Sequence, residues 1–204
     1  MRLTVTTFLS LDGVYQSPGA PDEDGTGYAY GGWTAPYGDE ASGGFITTHF
    51  ANADAFLLGR KTYEIFAGYW PRVTDPGHPI AAPLNSLPKY VVTSTLTSLG
   101  WNNSTRVTGG LAAEVGKLKA RPGNELQVHG SGELAQALIA GGLVDELRLM
   151  IFPVILGDGK QFFPRQPVAA AMRLAGSQTT PAGVTMLTLR PDGPARFGNL
   201  ATEA

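Results

Sequence analysis

Two short stretches bring glycine, hydroxyl and cation together in the way a phosphate requires. Gly59-Arg60-Lys61-Thr62 follows the apolar run Ala55-Phe56-Leu57-Leu58 and opens a helical pattern. Gly130-Ser131-Gly132 lies between a strand-like run at residues 125–129 and helical spacing at 133–140. Glycine at a strand-to-helix turn lets the backbone approach a ligand, and the helix's first N–H groups and positive dipole end favour an anion. Arg60, Lys61 and the Thr62 hydroxyl add side-chain donors. Both stretches also suit an ordinary structural turn, since Gly-Ser-Gly lacks the spacing of the G-x-G-x-x-G fingerprint and Arg60-Lys61 can be a solvated pair. Cations at a helix start oppose the dipole, which favours the anion reading there. Thr93-Ser94, closing an apolar run at 89–93, can meet a ribose or phosphate or simply cap a turn.

These residues need elements to hold them. Residues 2–11 alternate polar and apolar side chains, as a strand does, and end in the turn sequence Ser10-Leu11-Asp12-Gly13. Residues 16–44 shift to Gly, Pro, Asp, Tyr and Trp, and a loop this long inside a domain is more often a lid or insertion than a connection. Within it Trp33 and Tyr37 can cover a flat ring or pin the loop to the body. A helix is expected at 45–53, a buried strand at 54–58, a short helix and a proline-containing loop over 60–87, and a helix around Leu111, Val115 and Leu118. Residues 125–156 read as strand, helix and strand, with Gly141-Gly142 stopping the helix and an apolar run at 147–156 broken by Arg148 and Pro153. Two strands at 172–177 and 183–190 pair as a hairpin, and 191–204 reads as a flexible polar tail. The fold expected is one α/β domain over residues 1–190, with a central mixed, mostly parallel sheet flanked by helices and closed by an antiparallel C-terminal hairpin. Strands ending near Leu58, Thr93 and Val128 would then share one edge, where a single long phosphate-bearing ligand could span them.

Composition bounds the rest. The 204 residues are 43% hydrophobic and 16% charged, with a net charge of −2, as in an ordinary globular chain with no basic concentration for nucleic acid. With no cysteine, disulfides, thiol catalysis and sulfur-ligated metal are excluded, and His49, His78 and His129 have no ligand spacing, so no metal site is expected. No run approaches the ~20 apolar residues of a membrane helix and no signal peptide is apparent, so a cytoplasmic location is expected.

Taken in order, Ser10-Leu11-Asp12-Gly13, Leu58-Gly59-Arg60-Lys61-Thr62-Tyr63-Glu64, Val91-Val92-Thr93-Ser94, His129-Gly130-Ser131-Gly132 and Pro153-Val154-Ile155-Leu156-Gly157-Asp158-Gly159 give the chain a family likeness. It resembles the dihydrofolate reductase-like superfamily, most closely the C-terminal reductase domain of the bacterial riboflavin-synthesis deaminase-reductase. The resemblance implies an NADPH-dependent reductase of a small heterocyclic substrate, similar to 5-amino-6-(5-phosphoribosylamino)uracil reductase. It places Arg60 and Thr62 at the cofactor phosphates with Gly59, Lys61 and Thr93 beside them, Ser94 near the ribose 2′-phosphate, and Gly130, Ser131 and Gly132 under the diphosphate. It offers Asp12 and Asp158, and after them Asp39, as acidic candidates for proton donor near the substrate, where the insert's own composition adds Trp33 and Tyr37. Neither a deaminase or zinc-ligand motif nor the acidic residue that dihydrofolate reductase uses on its pterin can be placed. Dihydrofolate reductase activity and dinucleotide binding without turnover remain alternatives. Related domains pair, so a homodimer is expected, with the apolar run at 147–156 as its surface.

Overall fold

The computed structural model describes residues 1–163 and 169–199. Strands β1 (Arg2–Leu9), β2 (Ala53–Gly59), β3 (Lys89–Val92), β4 (Ser104–Val107), β5 (Glu125–His129), β6 (Glu146–Ile151), β7 (Ala170–Thr179) and β8 (Thr185–Pro194) form one sheet in the order β4-β3-β2-β5-β1-β6-β8-β7. The first six in that order run parallel, and β8 and β7 close the sheet antiparallel as the expected hairpin. Five α-helices accompany the described strands: α1 (Glu40–Phe50), α2 (Arg60–Tyr69), α3 (Ala81–Ser86), α4 (Leu111–Lys119) and α5 (Gly132–Ala140). This is the single-domain, mixed and mostly parallel architecture that the pattern predicts.

The alternation in β1 decides how the layers form. Leu3 and Val5 enter a fully buried cluster with Val115 and Leu118 of α4 and Leu134 and Leu138 of α5, each such side chain stabilising the fold by about 1.5–3 kcal/mol. Thr4 and Thr6 point the other way, in register with Gln127 and His129 of β5. On that face α1, α2 and α3 pack Phe50, Tyr63 and Leu84 against Phe56, Leu58 and Val91. Beside this apolar patch lies a buried ion cluster. The Arg148 guanidinium donates to Glu125 at 2.7 and 3.0 Å and to Glu146 at 2.6 and 2.8 Å, while Arg2 and Arg190 reach the same carboxylates from the rim.

Several elements differ from those expected, among them α3, which lies in the stretch expected as a proline-containing loop. Helix α1 starts at Glu40 rather than residue 45, because Asp39 accepts the Ser42 N–H at 2.8 Å while the Ser42 hydroxyl receives the Asp39 N–H, a complete capping box. The apolar run at 147–156 leaves the sheet after Ile151, since Pro153 has no N–H to give a ladder. Its β6 part, with Leu147, Leu149 and Met150 buried, lies between β1 and β8, which leaves the exposed apolar surface of the run to Ile155. Edge strand β4 was absent from the sequence reading, and β8 runs to Pro194, so the tail expected from Pro191 begins four residues later; its residues 200–204 lie outside the described residues.

Candidate active site

Register fixes where ligand chemistry can gather. Gly59 lies opposite Val92, Val92 opposite Val107, and Phe56 opposite Gln127, so β2, β3, β4 and β5 end at one edge of the sheet. A cavity of about 1070 Å³ opens there. It stands at the upper end of the roughly 300–1,000 Å³ usual for small-molecule sites.

The turns that frame it are cross-linked. Gly130 and Ser131 both have left-handed backbone, with φ of 59° and 53°. This aims the Ser131 N–H at Thr62 Oγ1, 3.0 Å away, and the Gly59 N–H in turn donates to Ser131 Oγ at 3.0 Å. Each hydroxyl accepts one bond and keeps its own hydrogen to give. At Gly132 a Cβ would stand 2.1 Å from the Tyr15 ring, so only glycine lets that ring lie against the start of α5. The helix starts divide by position. Helix α1 is capped by Asp39, and the first N–H groups of α3 donate to His78 Nδ1. The N-cap residues of α2, α4 and α5, which are Gly59, Gly110 and Ser131, make no side-chain cap bond. The N–H groups of the first turns that follow them, at the cavity edge, are thus left by the N-cap side chains to an acidic ligand group.

Arg60, Lys61 and Arg106 supply the cations of this half, and Thr93, Ser94 and Thr95 its further hydroxyls. Arg60 Nη1 sits 3.2 Å from Glu64, with the Arg60 side chain 41% exposed. Such a pair is worth about 0–1 kcal/mol and yields readily to a ligand phosphate. The Thr93 hydroxyl also caps its own turn, accepting from the Thr95 and Leu96 N–H groups. All nine residues expected at the cofactor line this one cavity.

The residues expected at the substrate do not. Asp12 accepts the Ser10 hydroxyl at 2.6 Å, the Leu156 N–H at 3.1 Å and the Gly157 N–H at 2.7 Å, which ties the two turns beyond β1 and β6 together. Burial works to raise its pKa, but these bonds outweigh it and hold the carboxyl below its usual range, in the form that cannot give a proton. The Asp158 carboxylate accepts the Gly159 N–H, and its carbonyl accepts the Tyr28 hydroxyl. Asp39 caps α1 and also receives the Ala182 N–H; the Ser42 bond above all lowers its pKa to about 2. Trp33 is buried, donates to the Gln16 carbonyl at 2.8 Å and packs edge-on to Phe152, as Tyr37 does, so both pin the insert to the body. None of these five lines the cavity.

Other residues take their places. From the insert and its start come Tyr15, Glu23 and Asp24, and from the turn after β6 Lys160; from β1, α1 and α2 come Thr6, Phe8, Ile46, His49, Phe50 and Phe66. Burial pushes the Glu23 carboxyl up against the bonds it accepts from the Gly19 and Ala20 backbone. Arg106 was hidden with β4, although Gly109-Gly110 before α4 repeats the glycine pattern of the other two turns and could have revealed it. Among the described residues, no group of three or more His, Asp or Glu could hold a metal ion, and no helix is long and apolar enough to cross a membrane.

A parallel sheet with a large cavity at its carboxyl edge, between glycine turns and an aromatic insert, defines an α/β protein of the dihydrofolate reductase-like fold. The family model for the RibD C-terminal domain matches residues 2–186, and the chain belongs to that family. Among curated relatives it is 32% identical over 149 residues to the uncharacterized protein YyaP of Bacillus subtilis (strain 168), covering 72% of this chain and 79% of that one. It is 26% identical over 146 residues to the uncharacterized protein YwjB of the same organism, covering 72% and 78%. A putative riboflavin biosynthesis protein from Shewanella sp. PV-4 superposes with a TM-score of 0.72 at 23% identity, covering 94% of this chain and 99% of that one. A pyrimidine reductase-like protein from Corynebacterium diphtheriae gives 0.63 at 14% identity, covering 94% and 92%.

Proposed function

We propose that the chain is an NADPH-dependent reductase of a small heterocyclic substrate. One observation carries this: the uncapped starts of α2, α4 and α5 open, together with Arg60, Lys61 and Arg106, onto a single cavity. On this reading Gly130, Ser131, Gly132 and the Thr62 hydroxyl hold the diphosphate, and Arg60 with Ser94 holds the ribose 2′-phosphate. When bound, NADPH supplies the hydride. The chain's own part is to position and enclose. Tyr15, resting on Gly132, and the insert behind it shut water from the inner end. Glu23, the wall carboxyl whose pKa is raised, takes the proton-donor role once expected of Asp12 or Asp158. The reading places the protein in the cytoplasm, where reduced dinucleotide is held. The words pyrimidine reductase-like and riboflavin biosynthesis in the names of its structural relatives support a pyrimidine-type ring.

Calorimetric titration with NADPH and NADH, followed by NADPH oxidation against pyrimidine and pterin compounds including dihydrofolate, tests it. Tighter binding of NADPH and oxidation by a pyrimidine-type ring are expected. Binding without oxidation by any of them would leave a dinucleotide-binding protein; binding of neither cofactor would end the proposal.

A further inference from the structure

Along α1 and α2 the cavity is lined by Ile46, Phe50, Phe66, Trp70 and Ile80 with Phe8 of β1, and by the His49 ring between Ile46 and Phe50. Ile46, Phe66, Trp70 and Ile80 are only partly buried in the core behind them, which leaves apolar surface toward this space. The wall's cations stand elsewhere: Arg60 and Lys61 in the first turn of α2, Arg106 on β4, and Lys160, whose carbonyl receives the Tyr15 N–H. The insert contributes carboxylates at Glu23 and Asp24 and no cation, with Asp24 near Tyr15 and the start of α5. Hydrogen bonds from Thr26 and Gln16 outweigh the burial of Asp24 and favour its ionised form. A phosphate carried against this wall would shed its water and meet aliphatic and aromatic carbon in place of guanidinium or ammonium. An aryl or alkyl group there would cover the open surface of Phe66 and Trp70 instead.

We infer that the substrate is a flat heterocycle bearing an uncharged, apolar substituent, and that this end of the cavity selects against a sugar phosphate. The inference rests on the reductase reading, which gives the cationic half to the cofactor. It departs from the phosphoribosyl substrate that the family likeness implies.

A matched pair of ligands decides it: 6-(benzylamino)uracil and its para-phosphonate derivative, titrated calorimetrically into the full chain with and without NADPH. The benzyl compound should bind at least about ten-fold tighter. Ile46→Lys should shrink or invert that ratio, and Phe66→Ala should weaken the benzyl compound several-fold while leaving the phosphonate unchanged. Thermal unfolding of both variants checks that they fold. Equal or tighter binding of the phosphonate by the wild type, or no binding of either compound, overturns the inference. Titration of NADPH alone keeps the two readings apart. Its failure counts against the reductase, whereas NADPH binding together with a preference for the phosphonate counts against the substrate class alone.

Discussion

Arg60 is the residue whose role is most sharply exposed to test. It leaves a buried strand, opens α2 and, among the described residues, is paired with Glu64 at the surface. Its replacement by alanine should weaken NADPH by about 1.5–3 kcal/mol, the range for a charge-assisted hydrogen bond, while NADH binding stays nearly constant. Equal losses for both cofactors would assign Arg60 to the shared diphosphate, and no loss would move the 2′-phosphate toward Arg106. Asp12 makes the opposite case. Since its carboxylate joins the turn at Ser10 to the backbone of Leu156 and Gly157, Asp12→Ala should lower stability by roughly 1–3 kcal/mol in urea unfolding and leave NADPH affinity unchanged. An unchanged urea midpoint would refute that structural role. The residues proposed for the cofactor phosphates were legible because glycine, hydroxyl and cation cluster within a few positions of a strand end. Asp12, Asp39 and Asp158 were not, because a carboxylate that caps a turn and one that meets a substrate are the same letter in a sequence.

At the scale of elements, β5 carries polar side chains in an unusual place. Glu125, Gln127 and His129 are all buried on one face, and they are joined in series: Gln127 donates to Glu125 at 2.7 Å and meets His129 Nε2 at 2.8 Å. His129 also stacks on Phe50 at 4.2 Å. Burial, then the nearby Arg148 charge, lowers its pKa from 6.5 to about 3. The folded state therefore keeps this ring neutral while the unfolded chain takes up a proton below about pH 6.5. With more protons bound in the unfolded state, stability should be unaffected above that pH and fall by about 1.4 kcal/mol per pH unit between about pH 6 and 3.5. His49, lowered to about 4 mainly by burial, adds in the same direction. Urea midpoints measured from neutral to mildly acidic pH should slope less steeply in His129→Asn, and an identical slope would refute the assignment. Buried strands and capped helices were readable from periodicity. Strand β4 was not, because Ser104-Thr105-Arg106-Val107 at a half-exposed edge has neither a continuous apolar run nor a clean alternation.

For the whole molecule, association has to be relocated. Within the run at 147–156 the strand part offers little surface, since β6 lies inside the sheet with Leu147, Leu149 and Met150 buried, and Ile155 beyond it is the large apolar side chain exposed. The ten-residue edge strand β7 is almost wholly exposed, and its Leu174 is 57% exposed. A long open edge is a template for another chain. We propose a homodimer that pairs through β7. Sedimentation should show a dimer that Leu174→Lys converts to monomer, and a monomeric wild type at micromolar concentration would end the proposal. The overall architecture was legible because parallel strands must connect through helices and every motif fell at a strand's carboxyl end. Which edge stayed open was not, since that depends on strand order.

Strand order also sets a timetable. The central β1 has β5 on one side, and β5 is likewise the inner neighbour of β2, so two strands made early must wait for one made much later. A chain emerging from the ribosome cannot close its sheet as it grows. It must hold two apolar edges open until residues 125–129 arrive and join them, which favours late, concerted folding and early exposure to aggregation. A fragment ending at Gly123 should accordingly remain unfolded or associate, and should gain native structure on addition of the complementary fragment that begins at Asn124.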